Sequence, residues 1–99
     1  MTSKQRAYLR SMANGLETIF HIGKSGVTPE LTDAVDNALE ARELVKLNIL
    51  DNCLMGTREA AQIIAERTHA DVVQVIGNKF VLYRQAKKPS IELPKTKKD

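Results

Sequence analysis

Apolar residues recur along the chain with two different periods, and the changes of period divide it into elements. Spacings of three and four residues predict amphipathic helices over residues 3–14, from Thr28 onwards, and over residues 57–68. Alternating or β-branched apolar runs predict strands. These runs cover residues 16–22, 44–50, 70–76 and 79–83. The predicted order is therefore helix, strand, helix, strand, helix, strand, strand.

This order predicts an α/β fold, of the two-layer α+β kind, around a mixed four-stranded sheet. The two strand–helix–strand units favour parallel strands, because such crossovers are right-handed and join strands of one direction. Gly77 and Asn78 separate the last two strands by two residues, which is typical of an antiparallel hairpin. We expect the second and third helices to share one face of the sheet; the pattern does not assign the first helix to a face.

Local signals give the expected helix ends. Ser3 is a candidate N-cap of the first helix, which is expected to stop at Asn14-Gly15. Thr28 followed by Pro29 is a typical start for the second helix, and Thr57 is a candidate cap for the third.

Composition predicts one globular domain followed by a tail. The chain has 99 residues, of which 42% are hydrophobic, enough for a single core. We expect the domain to span residues 1–86, because the periodicity ends after Arg84. Residues 87–99 are rich in lysine and proline and are predicted to form a mobile basic tail, from which Ile91 and Leu93 dock transiently.

The chain lacks the features of a membrane or secreted protein. No run of 18 apolar residues occurs, and no apolar stretch follows the first residues as in a signal peptide. The single cysteine, Cys53, excludes an intrachain disulfide and suits a reducing compartment. We therefore expect a cytoplasmic monomer.

Charge is unevenly distributed along the chain. The net charge is +3, with residues 1–26 and 87–99 basic and residues 27–45 acidic. The acidic residues of the second helix form a stripe opposite its apolar face, which would repel phosphate. The members of this stripe are Asp33, Asp36, Glu40 and Glu43.

The segment Gly23-Lys24-Ser25-Gly26, directly before the helix that Thr28 caps, is the main candidate for chemistry. Glycines allow a close backbone approach, and the N–H groups of a helix start favour an anion such as phosphate. A Walker nucleotide-binding loop would need glycine where Thr18 stands. The Gly-x-x-Gly spacing is shared with KH domains, which clamp single-stranded backbone, although there the loop joins two helices.

Catalytic and metal-binding patterns are missing from the sequence. Its two histidines, His21 and His69, have no ligand spacing to Cys53, and no nucleophile stands beside a recognisable base. We expect neither an enzyme nor a bound metal, cofactor or small-molecule substrate.

Four segments together resemble the YhbY family, the stand-alone bacterial form of the CRM (chloroplast RNA splicing and ribosome maturation) domain. The resemblance covers about residues 3–84, and its carriers are KQRAYLR from Lys4, IGKSGVT from Ile22, ELVKL from Glu43 and GNKFVLYR from Gly77. It implies an RNA-binding domain similar to the C-terminal domain of translation initiation factor three. It also implies association with precursors of the large ribosomal subunit.

We therefore predict a non-catalytic RNA-binding protein acting in ribosome assembly. With four aromatic residues in all, extensive base stacking is not expected, and Tyr8 and Tyr83 are the candidate stackers outside the core. The alternative is a ribosome-associated protein-interaction module that uses the acidic helix and a sheet edge. The predicted RNA contacts are Gly23, Lys24, Ser25, Gly26, Thr28, Lys4, Arg6, Arg10, His21, Lys46, Lys79 and Arg84.

Overall fold

The predicted element order is present in the computed structural model, which describes residues 1–94. These residues form three helices and four strands around one open sheet. In chain order they are α1 (Ser3–Ala13), β1 (Phe20–Ile22), α2 (Pro29–Arg42), β2 (Leu44–Ile49), α3 (Thr57–Thr68), β3 (Asp71–Ile76) and β4 (Lys79–Tyr83).

The strands lie in the order β1-β2-β4-β3, so the sheet is mixed as predicted. The first crossover joins adjacent parallel strands, β1 and β2. The second crossover joins β2 and β3, but β4 lies between them and is antiparallel to both. The hairpin turn is formed at Gly77, whose φ of 59° lies in the left-handed region that glycine adopts at no steric cost.

The larger core lies between the sheet and the α2–α3 pair, which share one face as predicted. Alternate residues of β2 point into it, and Val35 and Leu39 of α2 and Ile64 of α3 meet them with no exposed surface. Ala60 and Ala61 are also fully buried, and their small side chains bring α3 close to the strands. Each fully buried valine, leucine or isoleucine side chain here contributes about 1.5–3 kcal/mol relative to exposure.

Helix α1 covers part of the opposite face, which the sequence pattern could not assign. Its Leu9 and Ala13 pack on a second cluster formed by Leu44, Val73, Val81 and Tyr83. A two-layer description fits the sheet with α2 and α3, and α1 adds a partial third layer.

Two of the three predicted helix caps differ from the structure. Thr2, not Ser3, caps α1, and its hydroxyl accepts from the Gln5 N–H while the Gln5 side chain accepts from the Thr2 N–H. Gly56 precedes α3 without any side-chain cap, so Thr57 is the first helical residue. Thr28 caps α2 as predicted, accepting from the Leu31 N–H at 3.0 Å.

Strand β1 is shorter than the predicted run over residues 16–22. Only Phe20–Ile22 pairs regularly with β2, preceded by a single bond from the Ile19 N–H to the Lys46 carbonyl. β1 is an edge strand with one neighbour, so its extent depends on β2 alone.

Residues 86–94 lie against the domain, and the boundary predicted after residue 86 does not match these contacts. Ile91 and Leu93 pack on the cluster beneath α1, and the Gln5 side-chain amide donates to the Pro94 carbonyl at 3.0 Å. We call residues 86–94 the C-terminal strap. The rest of the predicted mobile tail, residues 95–99, lies outside the described residues.

Candidate nucleic-acid interface

The glycine loop connects the end of β1 to the start of α2. The Gly26 N–H donates to the Gly23 carbonyl at 3.0 Å, which closes a tight turn around Lys24 and Ser25. Gly26 has a φ of 68°, a left-handed conformation that other residues rarely adopt. Lys24 and Ser25 are exposed, so the loop presents an ammonium group and a hydroxyl to solvent next to the N-terminus of α2.

Three loops meet at this edge of the sheet. β1 and β2 are parallel and end together, with Ile22 paired to Ile49. The Ile49 N–H donates to the carbonyl of Asn78, in the β3–β4 turn, at 2.7 Å. Gly23 lies so close to the loop after β2 that a Cβ added to it would be 3.3 Å from the Asn52 Oδ1 atom. A larger residue at this position would require the Asn52 side chain to move by a few tenths of an ångström.

The face of the sheet that α1 partly covers also carries, beyond the end of α1, two rows of cross-strand neighbours. In the first row, Val81 is paired with Lys46 on one side and Gln74 on the other. The second row lies two residues further along each strand, and therefore on the same face. It consists of His21, Asn48, Lys79 and Ile76.

The structure thus brings together three of the predicted contacts that are far apart in sequence. His21 is exposed and is hydrogen-bonded through its Nδ1 atom to the Asn48 side chain. Lys46 and Lys79 lie on the same face of the sheet. Within residues 1–94, neither these two lysines nor Lys24 takes part in an ion pair. Their charge is available to an external anion.

The cations of α1 divide into two kinds. Lys4 and Arg10 are exposed, as a phosphate contact requires. Arg6 is half-buried, and its guanidinium donates to the carbonyl of Val72 in β3. Arg6 therefore ties α1 to the sheet, and we withdraw it from the predicted RNA contacts.

Arg84 also has internal partners. Its guanidinium lies 2.5 Å from the Asp36 carboxylate and 3.5 Å from that of Glu40, and it donates to the Thr68 carbonyl at 2.8 Å. Its side chain is only 20% exposed. Arg84 joins the end of β4 to α2 and α3, and we withdraw it as well.

The acidic stripe of α2 is smaller than the sequence pattern indicates. Glu43 is 1% exposed and caps the C-terminus of α2 with a φ of 67°, so it leaves the helical stripe. Burial alone would raise the pKa of Glu43, but hydrogen bonds from Ala86, Ile91 and Ser90 of the strap hold it below 4.5. Glu43 is a buried anchor for the strap.

The two candidate stacking residues have different environments. Tyr83 is 5% exposed within the cluster beneath α1, and burial, with the charges of Glu43 and Asp71, raises its pKa. It cannot offer a ring face to a base. Tyr8 is 40% exposed on α1 and remains accessible.

Three polar residues beside the lysines were missed by sequence reasoning. Asn48 and Gln74 lie on the same face as Lys46, and Asn14 follows the end of α1 beside them. Strand alternation placed Lys46 and Asn48 together on one side of β2. The strand order, which brings Gln74 to the same place, has no signal in a single sequence.

Residues 1–94 also bear on two other features, a metal site and a membrane-spanning helix. Within residues 1–94, no three residues of the His, Cys, Asp and Glu types are arranged to hold a metal ion. None of the helices formed by these residues has the length and apolar character needed to cross a membrane.

Comparison with known proteins identifies the family of this chain and a solved structure with the same fold. The CRS1 / YhbY (CRM) domain model matches residues 1–84. The chain belongs to the CRM domain family. The glycine loop, the two rows and the α1 cations all lie within the matched CRM residues.

Individual CRM relatives match over nearly their whole length. The "Probable RNA-binding protein YqeI" of Bacillus subtilis is 41% identical over 95 residues, covering 95% of this chain and 99% of the relative. An "RNA-binding protein" of Haemophilus influenzae is 31% identical, covering 96% of both chains. The solution structure of a hypothetical Staphylococcus aureus protein is 42% identical and superposes with a TM-score of 0.80, covering 95% of this chain and 99% of that one.

Proposed function

We propose that this protein binds RNA without catalysing a reaction, and that its target is ribosomal RNA in precursors of the large subunit. The main support is the position of the loop with the exposed Lys24. This loop lies at the edge of the sheet, and Lys46 and Lys79 share the open face beside it. The names of the Bacillus and Haemophilus relatives support RNA as the ligand. The ribosomal target rests on the family resemblance.

In the proposed mode, the loop holds the phosphate backbone. Lys24 supplies charge, Ser25 a hydroxyl, and Gly23 and Gly26 let backbone N–H groups approach a phosphate oxygen. Thr28 contributes by fixing the start of α2, because its hydroxyl is already occupied by the Leu31 N–H.

The positive surface continues from the loop in two directions. In this proposal, Lys46 and Lys79 supply charge on the open sheet face beside His21, and the exposed Lys4 and Arg10 supply charge on α1. Binding of this kind releases counterions, so affinity falls as salt rises.

The rival role, a protein-interaction module that uses the acidic helix, has less support. Asp36 and Glu40 are bonded to Arg84, and the Glu40 carboxylate also accepts the Lys87 N–H at 2.8 Å. Glu43 is buried. Within residues 1–94, Asp33 is the one carboxylate of this stripe left without an internal partner, and one is too few to define a docking face.

Reversing two charges tests the proposal. The Lys24→Glu, Arg10→Glu double variant is compared with wild type for binding to a transcript of large-subunit ribosomal RNA. We expect at least a tenfold loss of affinity at low salt, because two phosphate contacts become repulsive. The Arg58→Glu, Arg67→Glu double variant, at two exposed positions on α3, is the matched control with the same change of net charge, and circular dichroism verifies folding.

Unchanged affinity of the folded double variant would refute the interface. To identify the RNA, the full chain is crosslinked in cells and the attached RNA is sequenced. Recovery of transcripts other than ribosomal RNA would overturn the ribosomal target while leaving RNA binding in place.

A further inference from the structure

A small cavity opens on the sheet face where α1 ends. It is lined by residues of β2, β3 and β4, most of them members of the two rows, together with the end of α1, and its volume is about 120 Å³. The lining residues are Ala13, Asn14, Lys46, Gln74, Ile76, Lys79, Phe80 and Val81.

We propose that this cavity receives the base of one unpaired RNA nucleotide. The inference rests on the proposed RNA binding and adds a site that distinguishes an unpaired nucleotide from a paired one. The cavity joins two features that a base needs: an apolar surface for its ring and side-chain amides for its polar edge.

The apolar part of the cavity suits a flat ring. Among the lining residues, Ala13 and Val81 are buried, while Ile76 is 63% exposed. A base that covers the exposed Ile76 side chain removes apolar surface from water. Each Å² removed contributes roughly 25 cal/mol to the free energy of binding. Aliphatic side chains hold extruded bases in this way as well as aromatic ones do.

The polar part of the cavity can recognise a base edge. Asn14 and Gln74 each carry an amide, which offers both a donor and an acceptor. In a duplex the Watson–Crick edge is engaged by its partner, so only an unpaired base can present that edge to these amides. At about 120 Å³ the cavity is smaller than the roughly 300 Å³ at which pockets for drug-sized ligands begin, so it suits a single small ring system better than a larger ligand.

Charge favours a nucleotide over a neutral ligand of the same size. Lys46 and Lys79 flank the cavity, and no carboxylate lies among its lining residues. Lys79 is next to Asn48 and His21 in the second row, which leads to β1 and the Lys24 loop. Across the strands, the cavity and the loop are separated by about two strand spacings, roughly 10 Å, and the loop also lies beyond the end of β1 along the strand direction. An RNA strand of a few nucleotides can therefore place a base in the cavity and a phosphate further along the strand at the loop.

Two RNA hairpins test the inference. They share one stem sequence, and one of them has a single bulged nucleotide in the stem. We expect the wild-type chain to bind the bulged hairpin more tightly than the fully paired one. Gln74→Met keeps the approximate length and size of the side chain but replaces its amide by an apolar thioether, so it should lower affinity for the bulged hairpin about fivefold. Affinity for the paired hairpin should not change.

Matched variants separate this effect from general damage. Gln62→Met makes the same exchange at an exposed position of α3 and should leave both affinities unchanged. Ile76→Ala removes an exposed side chain without opening the core, so it should fold normally and also reduce the preference for the bulge. Amide resonances of Ala13, Asn14 and Gln74 should shift with the bulged hairpin only.

The outcomes separate the two proposals. Equal wild-type affinity for both hairpins, or a Gln74→Met variant that keeps the full preference, would overturn the base cavity alone. Absence of wild-type binding to either hairpin, together with a Lys24→Glu, Arg10→Glu variant that binds ribosomal RNA normally, would overturn the interface and the cavity with it.

Discussion

The carboxylate of Glu43 accepts a hydrogen bond at 2.7 Å from the backbone N–H of Ile91, 48 positions later in the sequence. The same carboxylate accepts from the N–H groups of Ala86 at 2.8 Å and Ser90 at 2.6 Å, and from the Ser90 hydroxyl at 2.9 Å. Four donors from the strap thus converge on one buried charge. This single side chain fixes the course of the chain after β4.

Replacing Glu43 by glutamine should destabilise the protein by about 2–4 kcal/mol, because bonds to a charged acceptor are lost and an amide donor then faces other donors. Urea unfolding measures the change. Glu40→Gln is the control and should cost less than about 1 kcal/mol, since Glu40 is exposed. Equal losses for the two variants would contradict the special role of Glu43.

The Glu43 carboxylate should also make stability depend on pH. Its pKa in the folded protein is below 4.5, so its contribution is full above pH 4.5 and is lost as the pH falls through the lower folded value. The difference in free energy of unfolding between wild type and Glu43→Gln should be constant near neutral pH and shrink below pH 4.5. A difference that does not vary with pH would show that another group is responsible.

Arg84→Lys should reduce stability without reducing RNA affinity. A lysine cannot reproduce the simultaneous bonds to Asp36 and the Thr68 carbonyl, and we expect a loss of about 1–3 kcal/mol in urea unfolding. Because the charge is retained internally, the salt dependence of RNA binding should match wild type. A selective loss of RNA affinity in a fully stable variant would return Arg84 to the interface.

Lys79→Gln should weaken RNA binding because it removes a positive charge that is proposed to contact a phosphate. Loss of one phosphate contact lowers the slope of log affinity against log salt by about one unit. Fluorescence anisotropy over a salt series measures this slope. Arg67→Gln, at an exposed position of α3, should leave the slope unchanged. The same slope change in both variants would indicate a nonspecific effect of net charge.

Gly26→Ala should test the loop through its backbone. No atom lies within 4 Å of a Cβ added at this position, so any cost arises from the left-handed φ and should be about 1 kcal/mol. Gly26→Asn should cost less, because asparagine tolerates this conformation better than alanine. If alanine and asparagine are equally harmless in urea unfolding, the positive φ is not needed.

The sequence predicted best those features that depend on neighbouring residues. Thr28 and Pro29 predicted the start of α2, and the alternation of β2 predicted which side chains enter the main core. Glu43 was misassigned because helical periodicity carries its position into the acidic stripe, although the helix ends one residue earlier. Nothing local distinguishes a solvated glutamate from one that binds the strap.

The sequence likewise indicated only those parts of the candidate site that consist of neighbouring residues. The glycine loop and Lys24 are contiguous and could be recognised directly. Arg6 and Arg84 were assigned to the site from their charge, but their acceptors come from β3, α2 and α3, which a single sequence does not place beside them. The cavity between Asn14, Gln74 and Lys79 requires three elements to meet, so only the fold could reveal it.

The position of β4 has a consequence for how the protein folds during its synthesis. β4 is the last strand in the described residues, yet it lies between β2 and β3. A nascent chain that reaches only Gly77 contains β2 and β3 but lacks the strand that joins them. The four-stranded sheet cannot be completed until Tyr83 has left the ribosome, and Glu43 stays without its four donors until Ile91 follows. The domain is therefore expected to fold in one cooperative step once residues up to Ile91 are available, instead of element by element from its N-terminus.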